Sequence, residues 1–147
     1  MNLEQLHAEW KSDSQIEFNK LDVSSVETPK LHAKYLELLS TYKLRLKDAE
    51  FKQKELMLLK WKWYQGKMSH EEVVKLGWDP DPFDGLRILK GEMQHYVEAD
   101  PELVASEAKM AYLNTIIETL KEILENIKWR HQTIRNAIEW KKFEAGF

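Results

Sequence analysis

Residues 110–138 read MAYLNTIIETLKEILENIKWRHQTIRNAI, and this stretch decides the fold. Met110, Leu113, Ile117, Leu120, Leu124, Ile127, His131, Ile134 and Ile138 recur at alternating spacings of three and four. That is the period of a helix with one apolar face, sustained over four heptads, with His131 as its polar member. Ile116 and Ile123 widen the stripe on one side. Asp100-Pro101 reads as a cap followed by proline at the first helical position, and no further Gly or Pro occurs before Gly146. One helix is therefore expected from Pro101 to about Phe143.

A seam this long needs a cover of similar length. Upstream, Thr28-Pro29 repeats the cap-plus-proline signal, and no breaker occurs between it and Gly66. A helix over Thr28–Tyr64 would be about 54 Å long. Its row Tyr35, Leu38, Tyr42, Ala49, Leu56, Trp63 matches the later seam. The cover is either this helix folded back in the same chain or a second subunit. Two such helices leave few other layers, so oligomerisation is expected, with Leu113, Ile117, Leu120, Leu124, Ile127, His131, Ile134 and Ile138 as the contact row.

Shorter elements fill the rest. Leu3, Leu6 and Trp10 share a helical face, and residues 13–28 are polar and irregular. Ser69-His70-Glu71-Glu72 is a capping-box pattern opening a helix that stops at Gly77. Pro80 and Pro82 break the segment after Gly77, and a helix over Asp84–Val97 is expected beyond them. No segment alternates with period two, so the fold class is all-α: two long helices plus short ones.

Composition excludes several chemistries. The chain has no cysteine, so disulfides, thiolate zinc sites and cysteine nucleophiles are out. No apolar run reaches the roughly 18 residues of a membrane span, and the first residues carry no basic, apolar leader pattern, so neither membrane nor secretion is expected. The histidines form no metal-binding pair, and Asp79, Asp81 and Asp84 lack the spacing of a calcium loop. Neither a phosphate-cradling glycine loop nor a nucleophile elbow is present. No cofactor, metal or catalytic activity is expected.

Net charge is −3, but its distribution is uneven. Residues 30–67 carry ten Lys/Arg against four acids, whereas residues 68–107 carry three against ten. The basic block ends in Lys60-Trp61-Lys62-Trp63-Tyr64-Gln65-Gly66-Lys67. Lysines neutralise phosphates and aromatic rings stack on unpaired bases, a combination that suits single-stranded nucleic acid. Lys54, Lys60, Trp61, Lys62, Tyr64 and Lys67 are the candidate contacts. Trp63 shares a row with Leu56 and fits a core position instead.

The order of these features resembles the UvsY-type recombination mediator proteins of T-even-like bacteriophages. The residues that carry the resemblance are Leu3-Glu4-Gln5-Leu6 with Glu9, Trp63-Tyr64-Gln65-Gly66-Lys67 at the end of the basic helix, and Lys90, Glu92, Met93 and Ala99-Asp100. Ile134 and Ile138 leading into Phe143-Glu144-Ala145-Gly146 complete the set. The prolines of Trp78–Phe83 and the extra tryptophans depart from the family pattern. The resemblance implies a non-catalytic, ring-like homo-oligomer that binds single-stranded DNA. It implies that the protein helps a RecA-like phage recombinase displace the phage single-strand-binding protein, in recombination, repair and replication. It also implies the cytoplasm of an infected bacterial host, and DNA contact by Lys54, Lys60 and Lys67. On this reading residues 1–67 form a helical DNA-binding region, 68–100 an acidic connector and 101–147 an assembly helix, within one structural domain. A helical scaffold or adaptor that ignores nucleic acid is the alternative.

Overall fold

Three of the helix starts are set by a side chain that takes up backbone N–H groups. The computed structural model describes residues Met1–Phe147. Helix α1, Leu3–Asp13, opens on a reciprocal capping box: Asn2 accepts from the Gln5 N–H, and Gln5 accepts from the Asn2 N–H. Helix α3, His70–Leu76, is capped by Ser69, which accepts from the Glu72 N–H, and ends at Gly77 with φ 70°. Helix α5, Pro101–Glu144, is capped by Asp100, whose Oδ1 accepts from the N–H groups of Glu102 and Leu103. Helix α2 spans Leu21–Tyr64 and the short helix α4 spans Met93–Glu98. The architecture is all-helical, with two 44-residue helices and no strand. No helix is long and apolar enough to cross a membrane.

Two boundaries differ from expectation. Helix α2 begins at Leu21, not Thr28, so Pro29 lies inside it. Proline removes one backbone donor, but the two turns before it are held by burial of Leu21 and Ser24. The Ser24 hydroxyl also accepts from the Glu17 N–H at 3.2 Å. The second difference is the expected Asp84–Val97 helix, of which only Met93–Glu98 forms. Asp84 and Gly85 both have positive φ, 52° and 81°. The Asp81 carboxylate accepts from the N–H groups of Phe83 and Gly85, which holds a turn where a helix would start.

The chain packs as two units that do not follow its order. Residues Met1–Leu44 with Asn114–Phe147 form one, and Arg45–Leu113 the other. In the first, Leu6, Tyr35, Leu39, Tyr42, Ile116, Ile117, Leu120, Ile123, Ile127 and Ile134 are buried. The Trp10 and Tyr35 rings meet edge to face at 5.4 Å. The Tyr35 hydroxyl and the Lys34 ammonium both donate to Asp13. Burial works against the Asp13 charge, but these two donors outweigh it and hold the carboxyl below its ordinary value.

The seam of α5 is rotated from the expected one. Leu113, Leu120, Ile127 and Ile134 are all buried. Ile116, Ile123 and Arg130 flank them in the interior, whereas the expected row Ile117, Leu124, His131 and Ile138 is fully buried only at Ile117. The latter row emerges along the helix: Ile117 is buried, Leu124 half-buried, His131 and Ile138 exposed. The buried polar residue is thus Arg130, whose guanidinium donates to the carbonyls of Ser14, Gln15 and Ser24 at 3.4–3.5 Å. Leu113, Ile117, Leu120, Ile127 and Ile134 are covered within the single chain. They are not a free contact row for a second subunit.

Candidate nucleic-acid interface

The basic, aromatic end of α2 divides into an inward and an outward set, because successive residues on a helix point about 100° apart. Lys60 and Tyr64, four apart, face the interior of the Arg45–Leu113 unit; Lys60 is 3% exposed and Tyr64 7%. The Lys60 ammonium lies 3.2 Å from Asp100 and 3.4 Å from Glu102. It also sits over the rings of Trp78, at 4.0 Å, and Trp63, at 4.7 Å. The Tyr64 hydroxyl donates to Asp100 Oδ2 at 2.7 Å. One carboxylate therefore caps α5 with Oδ1 and takes two donors from α2 with Oδ2.

Burial alone would push the Asp100 carboxyl up. The hydrogen bonds from Tyr64, from the Leu103 N–H and from Lys60 outweigh it, and the carboxyl lies below its ordinary value. Burial, with Asp100 beside it, pushes the Tyr64 hydroxyl up, so it stays protonated and donating. Around this node the rings of Trp63, Tyr64, Trp78, Phe83 and Tyr96 form a chain with centroid spacings of 4.9–5.6 Å. The Trp63 indole donates to the Asp79 carbonyl at 2.8 Å. Lys60 and Tyr64, expected as DNA contacts, are therefore structural. A buried ammonium paired to a carboxylate and a tyrosine enclosed by rings have no open face for phosphate or base. Asp100 is the site residue that the sequence reading missed; the cap signal at Asp100-Pro101 pointed to it, but only as a helix start.

The outward set is different. Lys54, Trp61 and Lys67 are exposed and Lys62 is half-buried. Trp61 is 43% exposed and lies outside the ring chain; its ring neighbour is the Lys67 ammonium, 4.8 Å from the centroid. Phe51, Met57 and Leu58 are also exposed on this helix. The face thus combines cations that can meet phosphates with flat or flexible apolar groups that can meet bases.

Known proteins resemble this chain along almost its whole length. The sequence profile of a family described as "Recombination, repair and ssDNA binding protein UvsY" matches residues 9–147. The "Recombination protein uvsY" of Enterobacteria phage T4 is 26% identical over 146 residues, covering 99% of each chain. The crystal structure of the bacteriophage T4 recombination mediator protein UvsY, in its lattice type II, superposes with a TM-score of 0.81 at 25% identity, covering 99% of each chain. Its lattice type I form superposes with a TM-score of 0.79 at 23% identity, covering 95% of this chain and 98% of that one, and there the likeness is one of fold.

Proposed function

This chain belongs to the UvsY family of recombination, repair and single-strand-DNA-binding proteins, and on that premise we propose that it is a non-catalytic recombination mediator. It binds single-stranded DNA through the outward face of α2 and the turn that follows it, with Lys54, Lys62 and Lys67 at the phosphates and Trp61 at the bases. It helps load a RecA-like phage recombinase onto DNA covered by the phage single-strand-binding protein. The observation that carries this reading is the division of one aromatic-basic segment into a buried Lys60–Tyr64–Asp100 node and an open Trp61–Lys67 pair. The node fixes the end of α2, and a fixed helix end presents the open pair without an ordering cost at the moment of binding.

Mediation needs several DNA contacts held at once, because a competing protein must be displaced from a continuous strand. Assembly supplies this by raising the effective concentration of each site next to the last. We place the assembly surface on the final turns of α5, where Ile138, Trp140 and Phe143 are exposed, and expect a ring-like homo-oligomer. The test is recombinase ATP hydrolysis on strands already coated with single-strand-binding protein. Addition of this chain should shorten the lag, and it should hydrolyse no ATP by itself. An unchanged lag, with normal folding and normal mass, would favour the scaffold alternative.

A further inference from the structure

We propose that the cleft beside Trp61 receives one unstacked base of the bound single strand; the inference rests on the single-strand-binding reading above. The cleft has a volume of about 250 Å³ and runs between the last turns of α2 and helix α4, with Lys90 just ahead of α4 at its edge. Trp61 and Met57 form one wall, Met93 and Val97 the other. That volume lies just below the roughly 300–1,000 Å³ of sites for drug-sized ligands. It suits a single planar ring system and is too small for a protein segment.

The walls match the parts of a nucleotide. The indole offers a face for stacking, and the Met57 and Met93 side chains are flexible, polarisable surfaces that adapt to a flat ring. Lys67 over the indole and Lys90 at the rim carry the charges that a phosphate would meet. Gln94 donates its amide nitrogen to Glu98 at 3.0 Å, which leaves its carbonyl oxygen to accept from a base N–H, ring or amino. Nothing in this set reads one base against another, so occupancy is tolerant of sequence.

The test compares a thymine oligonucleotide with one of equal length and charge whose bases are replaced by abasic residues, by fluorescence anisotropy at fixed salt. The intact protein should prefer the oligonucleotide with bases by roughly tenfold. Trp61→Ala should abolish that preference, so that the two strands bind with equal affinity. Trp61→Phe should retain most of it, which separates stacking from a folding defect. A Trp61→Ala variant with the intact protein's preference overturns the cleft, as does an intact protein that binds both strands equally. Binding to neither strand at low salt overturns the single-strand reading itself.

Discussion

Replacing Asp100 tests the node on which the interface stands. Asp100 is 2% exposed and joins four donors: Tyr64, Lys60 and the N–H groups of Glu102 and Leu103. Asp100→Asn keeps an oxygen for the cap, since asparagine caps helices about as well as aspartate. It strips the Lys60 ammonium of its buried carboxylate, a class of change that costs about 3–5 kcal/mol. Glu102 remains at 3.4 Å, which puts the expected loss near the lower end, about 3 kcal/mol. Asp100→Ala loses the cap as well, a further ~1 kcal/mol. Lys60→Met in the Asp100→Asn background should recover most of the loss, because removing both charges leaves no unpaired ion. Urea unfolding of the intact protein, Asp100→Asn, Lys60→Met and the double variant gives the cycle, read as midpoint shifts at constant slope. The pH dependence has a fixed sign. The Asp100 carboxyl is held below its ordinary value, so its stabilisation is present above about pH 4, near the unfolded-state value, and is lost as pH falls through the lower folded one. The gap between the intact protein and Asp100→Asn should therefore be flat from about pH 5 to 8 and close in acid. A loss under about 1 kcal/mol with no coupling to Lys60 would refute the node and return Lys60 to the DNA-facing lysines.

The packing sets three further outcomes. Arg130→Met should lower stability by about 2–3 kcal/mol, since it takes the guanidinium from the carbonyls of Ser14 and Gln15, and Arg130→Lys should not rescue it, because an ammonium lacks the planar fork that reaches three acceptors; thermal unfolding of each variant checks this. Leu120→Ala should cost about 2–5 kcal/mol, while His131→Ala should change the unfolding midpoint little, and equal losses at both sites would restore the seam through His131. Trp140→Glu should lower the assembled mass in sedimentation without unfolding the protein, because Trp140 is exposed in the single chain.

Local signals were legible and long-range ones were not. The caps at Ser69 and Asp100, the stop at Gly77 and the row Leu113, Leu120, Ile127, Ile134 all depend on neighbours within a few turns. The side of α5 that faces inward was ambiguous because Ile116, Ile117, Ile123 and Leu124 make the stripe wide on both sides of that row. Its resolution is Arg130 meeting carbonyls more than a hundred residues earlier in the chain. Lys60 has the same character. A lysine beside a tryptophan in a basic block reads as a phosphate contact until Asp100, about forty positions on, claims it. Pro29 misled because proline fits a first turn so well; burial of Leu21 and Ser24 extends the helix past that signal.

The central claim is that the outward lysines at the end of α2 and just beyond it, not the buried one, meet DNA. The direct measurement is single-strand affinity by anisotropy across a salt series, for the intact protein and for a Lys54→Gln, Lys62→Gln, Lys67→Gln variant. Each lost phosphate contact on single strands lowers the log–log salt slope by about 0.7, so the triple change should reduce it by about 2 while leaving the unfolding midpoint in place. An unchanged slope and affinity in the triple variant would contradict the account.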